Sequence, residues 1–147
     1  MPSSVSTRLQ YQHKSLIDLI EGLSDEQIRM HINPGKWSIF ENIVHLQAYQ
    51  HTMIKRIRQI LDEDSPSFGA YIADADPLFL DNCAKSSREV IQDLLTVRKD
   101  MSAGILSFTE TDLERTGLHP KFGKCTWCSG SIFFSFMNLI IFSPSSN

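Results

Sequence analysis

The chain has 147 residues, enough to bury one core of about four helices. The net charge is −3 and no basic patch is interleaved with aromatic residues, so we expect no nucleic-acid partner. The N-terminal residues contain no apolar signal-peptide core and the three cysteines do not predict a disulfide framework, so we expect a cytoplasmic protein.

Three long amphipathic helices are predicted along the chain. The first extends from about residue 7 to residue 23, with its apolar residues on one face. The pattern from Ser24 to Gln27 is a capping box that begins a short helical turn. A second capping box, from Ser38 to Glu41, begins a long helix that continues to about Asp62. The third long helix covers about residues 87 to 108.

Loops and short turns separate these helices. Residues 62–77 contain acids, Ser, Pro and Gly, and they predict a long loop of the kind that often covers a site. Residues 109–115 predict one further capped turn, and residues 117–124 predict a loop. Because three amphipathic helices need a fourth to close a bundle, we expect a fourth helix directly after Lys124.

The composition changes abruptly at that point, since residues 125–147 contain no Lys, Arg, Asp or Glu. One interpretation is a membrane tail, but the apolar run from Ile132 to Phe142 is about half of the ~20 residues needed to span a bilayer. No Lys or Arg flanks that run, so we do not expect a membrane partner. A second interpretation makes Cys125 and Cys128 half of a zinc site completed by remote residues, namely Cys83 and His119, although a single Cys-x-x-Cys pair is weak evidence.

A third interpretation is that this tail is translated in the wrong frame. If one base were lost near the Lys124 codon, codon degeneracy lets residues 125–147 back-translate into a helix containing Trp, Asp and a His-Glu-Ser-His-His run. In that frame the Met137–Asn138 junction forces Glu, and the Phe136–Met137 junction allows only His or Tyr. Most other positions are permissive rather than forced. The shifted frame therefore offers a histidine-rich helix where a helix is missing.

The segment Gly35-Lys-Trp-Ser-Ile-Phe-Glu-Asn-Ile-Val-His45-Leu46 resembles the start of the second helix in the DinB/YfiT-like superfamily, and the run from His119 to Lys124 resembles the approach to its last helix. The resemblance implies an all-α, up-down-down-up four-helix bundle that binds a divalent metal, zinc or nickel, through three histidines. His45 falls on one metal-ligand position. The other two ligands come from a His-x-x-x-His pair on the last helix and have no counterpart in this chain.

This resemblance divides the chain into a DinB-like bundle, residues 1–124, and an aberrant apolar tail, residues 125–147, that replaces an altered or incomplete last helix. It implies a divalent-metal-dependent hydrolase or thiol S-transferase with a small-molecule or thiol substrate, and a homodimer. We expect stable metal binding and activity to be lost in this chain, and no catalytic residue is identified. The alternative is a non-enzymatic helical interaction protein whose apolar tail packs on a partner or a membrane.

Residues near His45 have more ordinary interpretations. Glu41 is first a capping residue, with a supporting role behind the metal ligand as the alternative. Trp37 is expected to plug the end of the bundle, or else to form a cavity wall. His51 is six residues after His45 and therefore on another face of the helix, where we expect a surface residue.

Overall fold

A computed structural model describes residues 3–120 and 123–126 of the chain. The helices are α1 (Ser3–Ile20), α2 (Asp25–Arg29), α3 (Ile39–Asp62), α4 (Pro77–Cys83), α5 (Ser87–Leu106) and α6 (Glu110–Glu114), with a 3-10 turn at Ala73–Ala75. A hairpin of β1 (Thr116–His119) and β2 (Gly123–Thr126) follows. The described residues confirm the all-α prediction apart from this hairpin, and most of the predicted fourth helix and tail falls on residues 127–147, outside them.

Side-chain caps explain where the helices begin. Ser38 donates its backbone N–H to Glu41 Oε2 at 2.7 Å, and the Glu41 backbone N–H donates to Ser38 Oγ at 3.1 Å. The same reciprocal capping box precedes α2, α5 and α6, which confirms the predicted starts at Ser24 and Thr109. Each such cap stabilises a helix by about 1 kcal/mol. The cap at Ser38 therefore fixes the start of α3, the helix that carries His45.

Helix α3 lies at the centre of the packing, in contact with α2, α4 and α5, while α1 packs against α5. Its buried side chains contribute to two apolar clusters, one toward each end of the helix. The cluster toward its N-terminal end is Ile28, Phe40, Ile43, Val44, Ala48, Ala73, Phe79, Val90 and Leu94. The cluster toward its C-terminal end is Leu9, Tyr49, Met53, Ile57, Ile60, Met101, Ile105, Leu113 and Cys125.

The segment after α3 contains more structure than the sequence predicted. A 3-10 turn interrupts the expected loop of residues 62–77, and α4 follows with Asp76 as its N-cap and Pro77 in its first turn. Pro77 was interpreted as the end of a loop, but proline is also favoured at the first position of a helix. Seven residues are too few to show a helical period, so α4 was missed. Its Phe79 and Asn82 are buried against α3.

The prediction of a loop over residues 117–124 was wrong. β1 and β2 pair antiparallel with Gly117 opposite Cys125, and the Leu118 carbonyl accepts the Phe68 N–H at 2.9 Å on the other edge of β1. Two strands of four residues carry too little alternation to be recognised. β2 crosses Lys124, the expected end of the bundle, and Cys125 is 2% exposed in the core. In the described part of the chain, no helix is long and apolar enough to cross a bilayer.

Candidate functional site

His45 lies in the second turn of α3, surrounded by aromatic side chains. Its ring centroid is 5.3 Å from that of Trp37, 5.6 Å from Tyr71 and 6.1 Å from Tyr49. Trp37 also contacts Phe79 of α4, with 5.3 Å between ring centroids. We call these five residues the aromatic cluster. It places the one predicted ligand in a largely apolar environment at the end of the bundle where α3 begins.

Three different segments bring the cluster together. Trp37 immediately precedes the N-cap of α3, so the capping box that begins the helix also places the indole ring beside His45. Tyr49 follows His45 by one helical turn and lies on the same face. Tyr71 comes from the long segment after α3 and meets the Tyr49 ring edge-on at 4.9 Å. The segment expected to cover a site therefore contributes a side chain to this one.

The environment of His45 favours a neutral imidazole. Burial lowers the pKa of His45 below its ordinary value of 6.5, and the Asp74 carboxylate opposes this by attracting the proton. The Nδ1 atom is buried and has no hydrogen-bond partner among the described residues. A neutral imidazole is the form that binds metals, but a metal-bound histidine usually donates its second ring nitrogen to a fixed partner. His45 therefore favours the neutral form that binds metals, but its Nδ1 has no hydrogen-bond partner among the described residues.

Two carboxylates lie on the segment that faces His45. Asp74 is exposed and belongs to the 3-10 turn. The Tyr71 hydroxyl donates to Asp76 Oδ2 at 3.0 Å, and Asp76 Oδ1 accepts the Leu78 N–H at 3.0 Å. Burial, together with Asp76, raises the pKa of Tyr71 well above its ordinary value. Tyr71 therefore stays a hydrogen-bond donor, and its bond to Asp76 places a carboxylate beside the cluster.

Arg56, which is 8% exposed, lies beside Tyr49. Its guanidinium lies 6.0 Å from the Tyr49 ring centroid and 5.3 Å from that of Phe68, and it donates to the Gly69 carbonyl at 2.7 Å. Burial raises the pKa of Tyr49, and Arg56 opposes that rise. Arg56 thus ties the start of the long segment to α3.

The other histidines with described side chains do not join His45. His31 Nε2 lies 2.8 Å from Glu41 Oε2. Glu41 therefore contacts a loop histidine as well as accepting the Ser38 N–H in the cap of α3. His51 is half exposed, with its Nε2 3.1 Å from Nε2 of the buried Gln47. His119 belongs to β1. Within residues 3–120 and 123–126, no three His, Cys, Asp or Glu side chains are close enough together to hold a metal, which leaves the predicted zinc or nickel site incomplete there.

Sequence reasoning missed a buried polar network beside the site. The Gln47 side-chain amide donates to Asp93 of α5 and accepts a hydrogen bond from the Asn82 amide of α4. Gln47 is 2% exposed and Asn82 is 1% exposed, so the bond between them is made away from water, whereas Asp93 is exposed. A polar residue on the buried face interrupts the apolar pattern of the helix, and the sequence does not indicate which residues it will bond to. The network joins three helices two residues beyond His45.

The chain is similar in sequence to a protein family and to a curated protein. The family model described as the DinB superfamily matches residues 8–129. A Schizosaccharomyces pombe protein named as a probable cytosine deaminase is 31% identical over 101 residues, which is 67% of this chain and 60% of that protein. The chain therefore spans about 60% of the length of this curated relative.

A solved structure from Bacillus subtilis, YfiT, superimposes with a TM-score of 0.75 over 92% of this chain and 80% of that chain, at 17% identity. YfiT is described as a probable metal-dependent hydrolase with an unusual four-helix bundle topology. The superposition confirms the predicted four-helix bundle fold. With the family match over most of its length, the chain belongs to the DinB superfamily.

Proposed function

We propose that this protein keeps one metal-ligand position of a divalent-metal-dependent hydrolase or thiol S-transferase, at His45, and has lost the activity. The observation that carries the proposal is the isolation of a neutral, partly buried imidazole from any second or third ligand in the described residues. In addition, the sequence contains no histidine after His119. A catalytic metal site needs three protein ligands, and one imidazole holds a metal weakly.

A complete site of this type would hold the metal through His45 and two histidines of the last helix. Such a metal supplies an open position at which water or a thiol is activated. Around it, the Tyr71 hydroxyl donates to Asp76 and Trp37 packs against His45. Neutral imidazole suits zinc, nickel and iron, so the donor type does not select the metal. A small-molecule or thiol substrate, a homodimer and a cytoplasmic location belong to the same proposal.

We attribute the loss to a one-base frameshift near the Lys124 codon. Two features of the sequence support this: all charged residues cease after Lys124, and the shifted frame restores Glu and permits a His-x-x-x-His pair at the expected place. Sequencing the gene across codons 122–126 in independent isolates tests the event. One additional base in close isolates is expected. Its absence from all of them, with the protein made as written, overturns the frameshift.

Metal content tests the functional part. We would purify the chain as written and a version with the base restored, both without chelator, and measure zinc and nickel by mass spectrometry. The restored protein is expected to hold about one metal ion per chain and the chain as written much less. In the restored protein, His45→Ala should remove the metal and His51→Ala should not. Stoichiometric metal in the chain as written, lost in His45→Ala, would refute the proposed loss.

The name of the fission-yeast relative does not lead us to propose cytosine deamination. Zinc-dependent nucleobase deaminases use a His-x-Glu pair and a Pro-Cys-x-x-Cys pair. No histidine of this chain is followed two residues later by glutamate, and Lys124 stands where a proline would precede Cys125.

The interaction-protein alternative is tested by fractionation: stable recovery with membranes or a partner, lost on deleting residues 125–147, would favour it over a lost enzyme.

A further inference from the structure

A groove of about 620 Å³ lies between α5 on one side and α2 with the end of α1 on the other. Small-molecule sites in proteins occupy about 300–1,000 Å³, so the groove is large enough to hold a ligand. None of its described lining residues belongs to the aromatic cluster. The groove is therefore a candidate binding site separate from the surroundings of His45.

Apolar side chains from three helices line the groove. They are Ile20 of α1, Ile28 of α2, and Ile91 and Leu95 of α5. Ile28 is buried at 5% exposure, whereas the other three are only partly buried. Ile91 and Leu95 are four residues apart and therefore lie on the same face of α5. This partly uncovered apolar lining favours a ligand with an apolar group.

Two cations flank the apolar residues along the same face of α5. Arg88 and Lys99 both line the groove, and their positions on the helix are about 16 Å apart. Neither forms an ion pair with another residue in the described part of the chain. Side chains of this type lay their methylene groups on apolar surface and keep the charge at its edge. The groove therefore combines an apolar lining with unpaired positive charge.

The lining carboxylate in the described residues, that of Asp25, is already paired. Its Oδ2 accepts a hydrogen bond from Arg29 Nε at 3.0 Å, and Arg29 Nη2 also donates to the Lys85 carbonyl. Because Lys85 lies just before the start of α5, these bonds place Asp25 at the Arg88 end of the groove. At the other end, Lys99 has no carboxylate beside it among the described lining residues.

We infer that this groove binds a small amphipathic anion, a medium-chain carboxylate of the fatty-acid type. The alkyl chain lies on Ile20, Ile91 and Leu95, and the carboxylate meets the Lys99 ammonium. The ligand is a free molecule and not a bilayer lipid, because these apolar side chains line a groove and do not form a protruding face that could insert into a membrane. The inference uses no residue of the metal site and does not depend on the proposed function.

The test is displacement of a dansyl-labelled fatty acid from the full chain, measured by dansyl fluorescence at low salt. Decanoate, decanol and decyltrimethylammonium share one alkyl chain and differ in charge, and each is used below the concentration at which it aggregates. We expect decanoate to compete about fivefold more tightly than decanol, and decyltrimethylammonium to compete more weakly than either. Equal competition by all three, or none by decanoate, would overturn the inference.

Matched variants locate the charge and the apolar lining. Lys99→Gln should remove most of the preference for decanoate over decanol, whereas Lys55→Gln, at an exposed lysine of α3 outside the groove, should leave it intact. Leu95→Gln should weaken decanoate and decanol alike by about tenfold, whereas Leu106→Gln, at a leucine of α5 outside the groove, should not. Circular dichroism verifies that each variant folds. An equal effect of the two lysine variants, or of the two leucine variants, contradicts the site.

Sedimentation distinguishes the other occupants that such a groove could have. We expect an oligomeric mass that Leu95→Gln does not change, and no co-sedimentation with phosphatidylglycerol vesicles. A mass of two chains that Leu95→Gln halves, without displacement of the dansyl probe, would mean that a second copy covers the groove. Vesicle binding that is lost in Lys99→Gln would mean that the groove meets a bilayer. Either result would overturn the inference of a free ligand.

Discussion

Replacing Gly117 by alanine should destabilise the protein, because its position in β1 leaves no room for a side chain. A Cβ atom there would lie 2.5 Å from Phe68 Cε2, 2.9 Å from Phe68 Cζ and 3.2 Å from Ile60 Cγ1. Ile60 is 1% exposed and cannot move aside, so Phe68 must rotate and loosen its contact with Arg56. Overpacking of this kind costs about 1–3 kcal/mol.

Thermal and urea unfolding measure this cost. For a chain of this length the melting temperature should fall by about 2–4 °C for each kcal/mol. Gly69→Ala is the matched control, since a Cβ atom at Gly69 meets nothing within 4 Å among the described atoms. We expect that control to be neutral or stabilising by up to about 1 kcal/mol. If Gly117→Ala is as stable as Gly69→Ala, the packing of the hairpin against Phe68 is wrong.

A second step distinguishes the clash from a general weakness of the hairpin. Phe68→Leu removes the ring atoms that the new Cβ would meet, while leaving an apolar side chain. The double variant Gly117→Ala/Phe68→Leu should therefore recover part of the loss, giving a coupling of about 1 kcal/mol between contacting residues. Additive losses would mean that Gly117 is required for another reason.

Three further predictions concern α3 and its ends. In chelator-treated protein, the free energy of unfolding should fall as the pH drops from about 7 to about 5. Because the pKa of His45 is lower in the folded than in the unfolded chain, the unfolded chain binds this proton at a higher pH and is favoured as the pH falls. His45→Phe should reduce this fall, measured by urea unfolding. Ser38→Ala removes the hydrogen bond from the Glu41 N–H and should lower the free energy of unfolding by about 1 kcal/mol in the same assay. An unchanged free energy of unfolding would mean that another group caps α3. Arg115 donates to the Ile60 carbonyl at 2.5 Å and to the Glu63 carbonyl at 3.1 Å, and one lysine ammonium cannot replace both bonds. Arg115→Lys should therefore lower the free energy of unfolding by about 1 kcal/mol and speed amide exchange at the end of α3.

The sequence predicted the long helices well because their causes are local. A capping box such as Ser38 to Glu41 specifies both partners within four residues, and the structure shows that pair bonded. Helix α4 depends instead on Phe79 finding Trp37 and Asn82 finding Gln47, contacts between residues far apart in the chain. No local pattern records such a contact. The hairpin was missed for another reason: each of its two strands has only four residues, too few to show an alternating pattern.

The sequence indicated part of the site: His45, Trp37 beside it, and a segment, residues 62–77, expected to cover a site. The motif around His45 identified its position, but nothing in residues 62–77 indicated that Tyr71 would meet the imidazole or that Asp74 would act on it. Both depend on the path of that segment across the end of α3. The environment of a ligand, which decides its protonation and its preferred partner, is set by these long-range contacts.

The buried Nδ1 of His45 connects the proposed loss of metal to stability. An unpaired buried nitrogen costs about 1–3 kcal/mol, a cost that a bound metal and its ordered surroundings would offset in an active relative. Without the metal the cost remains. His45→Phe should therefore leave the free energy of unfolding at neutral pH unchanged or raise it, because the new ring fits among Trp37, Tyr49 and Tyr71 without a polar atom. A histidine whose Nδ1 is buried without a partner among the described residues is what the proposed recent loss of the metal site predicts, since a past function, and not folding, would account for its presence.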